Sequence, residues 1–251
     1  MSSPNNTSLS ILQRHRDTWN KKKILRHIYT QWYRQITHDL QSGPTLELGS
    51  GGGNFKQFNP QVIASDIDFC PWLDVVFDAH HIPFKPQHIG NIVMIDVLHH
   101  LADPVLFLQQ AYTHLQPNGR ILIIEPFPSP FSLPIYRKVH PEPFIINADL
   151  FNQSNPTPTA PKDPWDSNQA TAYLLFFKHK NKFDQVFGSK YRIIKKKRIS
   201  CILYPASGGF ENKSLIPNFA IPFFKALEFL LIPFRPLIAF RTYIVLEKKE
   251  C

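Results

Sequence analysis

Three sets of residues in this 251-residue chain have the types and spacing to do chemistry. The first is Glu47-Leu48-Gly49-Ser50-Gly51-Gly52-Gly53, an acid two residues ahead of alternating glycines, with Asp66 seventeen residues after Gly49. Glycines so placed let a ligand approach the backbone, where any Cβ would block it or forbid the dihedrals. Asp66 can accept two hydrogen bonds from ribose hydroxyls, whereas Asp68 reads better as a local cap. The second set is His99-His100 and Glu125. A histidine can take a proton from an acceptor near neutral pH. Glu125 can act as a second base or orient a histidine. The residues equally allow a histidine that packs under the ligand and a Glu125 that only stabilises a loop. The third set is Asp78 with His80-His81, which has no third ligand at metal-site spacing, so no metal is expected. Tyr136 and His140, four apart, share a face if helical and are candidates for an acceptor pocket.

The glycine loop discriminates between ligands. A dinucleotide requires G-x-G-x-x-G, so that its pyrophosphate meets a helix N-terminus. Here the sixth position is Asn54, and Glu47 would repel a pyrophosphate. The carboxylate suits a ligand carrying an ammonium and a sulfonium, which describes S-adenosylmethionine (SAM). At this point the sequence resembles the class I SAM-dependent methyltransferases. Further pieces agree: strands over Val62–Asp68, Val75–Ala79, Ile92–Asp96 and Ile121–Glu125, Leu98-His-His-Leu101, and the turn Leu115-Gln-Pro-Asn-Gly-Arg120. Their order is similar to that of the methyltransferase type 11 group and covers Pro44 to Pro126, about a third of the chain. The resemblance implies a cofactor site built from Glu47, Gly49, Ser50, Gly51, Gly53, Asp66, Ile67, Asp78, Ala79, Asp96 and Val97. Within it, Asp78 is expected on the adenine amino group.

The elements that must position these residues are readable in outline. The fold class is α/β: a doubly wound, Rossmann-like sheet of seven strands with an antiparallel last strand, an N-terminal helix and an insertion after the fifth strand. One domain is expected over 1–251. It divides into a helical lid (1–43), a SAM-binding core (44–126), an acceptor-site insertion (127–190) and sheet-closing strands with an apolar segment (191–251). Residues 1–8 are polar and expected to be disordered. A helix is expected from Asp17 to Ile36, with Leu25, Ile28, Trp32 and Ile36 on one face. Only single helical turns fit between Asn54 and Pro60 and between Phe69 and Asp74, which predicts a thinly covered sheet face. Asp103-Pro104 starts a helix that Asn118-Gly119 should stop. Residues 145–168 show no periodicity, Asn168–Phe187 reads as a helix, and the closing strands are expected over Ile199–Tyr204 and Arg241–Leu246.

Composition bounds the function. The chain is 43% hydrophobic and 13% aromatic, enough for a real core, and its 23 prolines cluster after residue 126. Lys and Arg outnumber acids seven to two in residues 1–43 and fifteen to five in 178–251; acids outnumber them twelve to six between. An acidic centre suits a cationic cofactor, and basic flanks suit an anionic partner, though Lys195–Arg198 also reads as a solvated strand approach. Three separated cysteines and a polar start predict a reducing, cytoplasmic setting without a signal segment. Base-amino methylation would need an Asn/Asp-Pro-Pro-aromatic motif where Asp96-Val-Leu-His99 stands, and Cys70-Pro71 does not fit pyrimidine C5 chemistry. Leu215–Phe240 is strongly apolar but broken by prolines and charges, so it is no membrane span. The resulting expectation is O- or C-methylation of a small, largely apolar or lipid-like acceptor, with peripheral contact to anionic membrane. The alternatives are an RNA methyltransferase using the basic flanks and a non-catalytic SAM-binding scaffold.

Overall fold

The computed structural model describes residues 6–151 and 167–250. Seven strands form one sheet in the order β3-β2-β1-β4-β5-β7-β6. They are β1 (Thr45–Leu48), β2 (Ile63–Asp66), β3 (Val75–Val76), β4 (Ile89–Ile95), β5 (Leu115–Pro126), β6 (Tyr191–Ile199) and β7 (Arg241–Lys248). The first five run parallel, and β7 is antiparallel to both β5 and β6. The strand order reverses between β1 and β4, where Leu46 pairs with Ile63 on one side and Ile92 on the other. Such a switch point opens a crevice at the carboxyl ends of the strands, where open α/β sheets bind ligands. The glycine loop leaves β1 and the His99-His100 segment leaves β4 at that crevice.

Successive strand residues alternate between two cores, as the period of two requires. Ile92, Met94, Ile121, Ile123, Ile244 and Leu246 pack on one face. Val93, Leu122, Ile124, Tyr243 and Val245 pack on the other. The helices are α1 (Asn6–Lys21), α2 (Lys23–His38), α3 (Asn54–Phe58), α4 (Pro104–His114), α5 (Ser132–Lys138), α6 (Thr171–Tyr173), α7 (Lys180–Phe187), α8 (Leu203–Ser207), α9 (Ile221–Leu230) and α10 (Arg235–Ile238). On the first face lie α4 and the α6–α7 region, joined by a π-helical turn at Leu174–Lys178 and carrying buried Phe176, Phe183 and Phe187. The later part of the segment read as acceptor insertion, around Phe176, Phe183 and Phe187, thus packs into the core.

Several boundaries differ from the sequence reading. The N-terminal region is two helices, broken at Lys22, and helix already begins at Asn6. The expected thin face is not thin. Only five residues of helix follow the glycine loop, but α2 takes the vacant place and buries Leu25, Ile28, Trp32 and Ile36 against Val93, Leu122 and Tyr243. The stretch 69–74 forms turns rather than a helical turn. Asp103 caps α4 as expected, accepting from Leu106 N at 2.8 Å, but α4 ends at His114. Asn118 and Gly119 lie inside β5 within a register shift between Leu115 and Arg120, with Asn118 at φ 59°.

The largest correction concerns β6. It runs over Tyr191–Ile199 and ends at Ser200 (φ 58°), while Leu203–Ser207 is helical instead of strand. The Lys195–Arg198 run therefore lies on a sheet edge, where lysines guard against edge-to-edge pairing. Residues 145–151 form turns, and the remainder of that aperiodic stretch to 166 lies outside the described residues. Among the described residues no helix is long and apolar enough to cross a membrane.

Candidate active site

The crevice holds a cavity of about 1190 Å³ lined by the glycine loop, the ends of β2 and β4, α1, α5 and the loop after α8. Gly49 has φ 63°, and a Cβ there would collide with the Val97 side chain, so Val97 packs directly on the loop. A Cβ on Gly51 would meet only Leu12 of α1, at 3.7 Å, and would otherwise project into open space. That space is a backbone cradle a ligand can fill. Gly53 differs from expectation: it does not line the cavity. It is required at φ 70° to enter α3, and a Cβ on it would come within 2.9 Å of the Trp72 ring.

Ser50 and Ser65 clip the strand ends together. Ser50 N donates to Ser65 O at 2.8 Å, Ser65 N donates to Ser50 Oγ at 3.0 Å, and Ser65 Oγ donates to Glu47 O at 2.7 Å. Asp66 accepts the Gly51 N–H at 2.9 Å and the Ile67 N–H at 2.8 Å, one on each oxygen. Each oxygen keeps lone-pair capacity for a ligand hydroxyl. Glu47 is the anomaly. It is 5% exposed, and its Oε2 is buried without a hydrogen-bond partner. Burial, reinforced by the neighbouring Asp66 and only partly opposed by Ser50, pushes its carboxyl up to about 8. A cationic ligand group beside Glu47 would remove that cost.

Asp78, Ile67, Ala79 and Val97 also line the cavity, and Asp78 already accepts from His80 N at 2.9 Å and His80 Nδ1 at 2.6 Å. Asp96 lines the cavity as well. It has φ 58°, and its carboxylate is ion-paired with buried Arg241. Arg241 in turn bonds the Tyr204 hydroxyl and lies 4.2 Å over the Tyr204 ring. Neither Arg241 nor Tyr204 belongs to a motif that the sequence displays. The only signal for Arg241 is a lone cation opening an apolar strand.

Glu125 is fully buried and does not line the cavity, so it cannot meet an acceptor. Its Oε1 accepts from Val97 N at 2.9 Å and Leu98 N at 2.7 Å, and its Oε2 lies 2.5 Å from His99 Nδ1. Of the roles left open for Glu125, the geometry fits the orienter of a histidine and the loop stabiliser, not the base. His99 is 3% exposed, and its Nε2 lies 3.2 Å from Glu142 Oε2. Burial alone would lower the His99 pKa, but the adjacent Glu125 and Glu142 carboxylates outweigh it and hold the ring well above its ordinary value. An imidazolium with both N–H groups donated is no base. Glu142 also accepts from Ser167 Oγ at 2.8 Å and Gln169 Nε2 at 3.2 Å. Despite its burial, the hydrogen bond and charge of His99, then the Ser167 hydroxyl, hold its carboxyl well below the usual range. The His100 ring lies 4.2 Å from the His99 ring, tilted by 37°, and lines the cavity. Tyr136 and His140 line it too, but the Tyr136 hydroxyl is spent on Phe240 O. His99, His100 and Glu142 bring ligand atoms within 4.8 Å of one another.

With this geometry in view, the comparisons decide the family. The methyltransferase-domain family matches residues 19–184, well over half of the chain. The chain belongs to that family. The methyltransferase shares its fold with a SAM-dependent methyltransferase from Archaeoglobus fulgidus, at 15% identity over 89% of this chain and 94% of that one, with a TM-score of 0.51. It is similarly related in fold to a SAM-dependent methyltransferase from Thermotoga maritima, at 11% identity over 97% and 100% of the two chains, TM-score 0.50. No curated protein matches the methyltransferase in sequence. Its cofactor is S-adenosylmethionine, and the cradle at Gly51, the orphaned Glu47 oxygen and the open capacity of Asp66 fit that group.

Proposed function

We propose that this methyltransferase methylates oxygen or carbon of a small, largely apolar acceptor, and that it works at the periphery of a membrane. The observation that carries the acceptor reading is the cavity wall beyond the glycine loop. Leu106, Ile135, Val139 and Phe240 belong to it, and the cavity is too large for one small ligand alone.

In this reading Glu47 faces the cationic end of the cofactor, and the backbone of Gly49, Ser50 and Gly51 takes its close approach. Asp66 takes the ribose, while Ile67, Asp78, Ala79 and Val97 complete the wall. Bound SAM supplies a methyl group on a sulfonium. The protein's part is alignment, and proximity and orientation supply most of the rate. Glu125 fixes the turn at residues 97–99 and holds His99 as a donor; His99 in turn orients Glu142. Where the acceptor must lose a proton, His100 is the base.

The RNA alternative loses support in the same geometry. Lys195 is paired with Asp39, Lys196 donates to Phe176 O at 3.1 Å, and Arg198 lies 5.0 Å over Phe127. These cations are engaged with the protein itself.

The test is incubation of the full chain with methyl-labelled SAM and, in parallel, a total lipid extract, total RNA and a protein mixture. Label is expected in the organic-extractable fraction. Label confined to RNA or protein would replace the proposed acceptor.

A further inference from the structure

The segment after the α8 loop is an amphipathic structure turned outside out. In α9 the inward positions are Ile221, Phe224, Leu227 and Glu228. Phe223, Ala226, Phe229 and Leu230 recur at helical spacing on the opposite, solvent-facing side. Leu215, Phe219, Phe223, Phe229, Leu230 and Leu237 are between 56% and 87% exposed. Scattered exposed apolar residues need no explanation, but a continuous stripe of this kind marks an interaction surface.

The patch continues onto α5. Phe131 N donates to Leu237 O at 3.1 Å, and the Phe131 ring lies 6.1 Å from Phe240. Val139, at the end of α5, is 76% exposed and lines the cavity. The stripe is also bracketed in sequence by cavity wall: Gly208 to Asn212 before it, Phe240 and Arg241 after it. The apolar surface therefore adjoins the cavity wall at Val139 and Phe240.

Charge selects the occupant. Exposed Lys213, Lys225, Arg137 and Lys138 lie in or beside the patch, and none forms an ion pair among the described residues. The acid within the segment, Glu228, is turned inward. It accepts from Cys201 N at 2.6 Å, Ile202 N at 2.9 Å and Leu203 N at 3.1 Å, capping the start of α8. Glu211, just before the segment, is paired with His15 at 2.5 Å. Apart from Asn218, the outward face of 215–238 thus offers apolar side chains and positive charge, with no acid turned outward. A second copy of the chain would bring like charges together across a self-complementary interface. An anionic bilayer accepts both features: aromatic and aliphatic side chains enter the headgroup boundary while lysines meet lipid phosphates.

We propose that the outward face of residues 215–238, together with Phe131 and Val139, docks on an anionic lipid bilayer and sets the cavity opening against it. The docking surface deepens the membrane-periphery reading above, whereas delivery of the acceptor from the bilayer rests on the apolar-acceptor reading.

The experiment is flotation of the full chain with vesicles of phosphatidylcholine alone or with roughly 30% phosphatidylglycerol, to match an anionic surface, with SAM binding measured on the same samples. Wild type is expected to float with anionic vesicles and hardly with neutral ones. Phe223→Ser/Phe229→Ser should lower binding at least about tenfold, and Lys225→Glu should lower it and its salt dependence. Both variants should keep SAM affinity. Wild type that stays at the bottom of the gradient overturns the proposal, as does flotation indifferent to these substitutions. Sedimentation showing a dimer that the serine variant dissolves, without flotation, would assign the face to a second copy instead. Because no acceptor or turnover enters this assay, a polar acceptor could be found while docking stands, or the reverse.

Discussion

The crevice at the strand ends and the segment 215–238 break opposite rules of folding. In the crevice a carboxylate oxygen of Glu47 is buried with nothing bonded to it. In the segment large apolar side chains stand in water. A polar deficit inside a protein marks the place of a small ligand with matching charge, because only a close, directed partner can compensate it. An apolar surplus outside marks an extended partner, because burial is non-directional and scales with area. Around the Glu47 anomaly nearly every group is locked by hydrogen bonds. Around the outward stripe the inner side is packed and the outer side is simply unpartnered.

The largest expected effect lies in the locked region. Glu125→Ala removes a buried carboxylate that holds two backbone N–H groups and the charged His99, and should cost about 3–5 kcal/mol in chemical denaturation. A loss near about 0.5 kcal/mol, the size of an ordinary surface change, would mean that the crevice is no more locked than the surface. Next, Gly51→Val fills the cradle beside Leu12. SAM affinity by calorimetry should fall by roughly 100-fold, about 2.7 kcal/mol. The same change at Gly49 should also unfold the loop, since Val97 occupies the space.

Glu47 gives a pH test of intermediate size. Its folded pKa, near 8, lies above its unfolded value, so the unfolded chain ionises first. The ligand-free protein should therefore lose stability as pH rises from about 4.5 toward 8. A cationic cofactor favours the carboxylate, so its affinity should rise over the upper part of that range, and Glu47→Gln should flatten both slopes. Equal slopes in wild type and variant would remove Glu47 from the cofactor site. The smallest effect sharpens the contrast most. Phe183→Ala in the core should cost about 3–5 kcal/mol. Phe223→Ser should stay within roughly 0.5 kcal/mol. A large loss at Phe223 would mean that the outward stripe is packed in solution.

Family, cofactor and the place of the glycine loop and its neighbouring acids on the cavity wall are legible because they are local. An acid, a glycine loop and a strand-end acid announce themselves by spacing, since one strand and one turn place them together. The doubly wound seven-stranded sheet with an antiparallel last strand is implied by the family resemblance those local pieces carry, and the strand order agrees with it. Residues that meet across long sequence distances are not legible. Arg241 reaches Asp96, Glu142 and Gln169 come from the insertion to His99, and Lys195 finds Asp39. The bounds of β6 escape a sequence reading that takes charged residues for flanks, because an edge strand tolerates charge on its open side.

The sequence by itself determined the chemistry that depends on backbone shape: a loop that admits a ligand, and acids at the strand ends to receive it. It also contained the apolar stripe of residues 215–238, but not its direction. Only the tertiary structure decided that α2, rather than a helix after the glycine loop, covers the second sheet face. Only the tertiary structure chose between base and holder of His99 for Glu125, and turned Phe223 and Phe229 of α9 outward while Phe224 went in. A periodic pattern fixes which residues share a face. Which face is buried depends on what else has already covered the sheet, and that is settled by the whole chain at once.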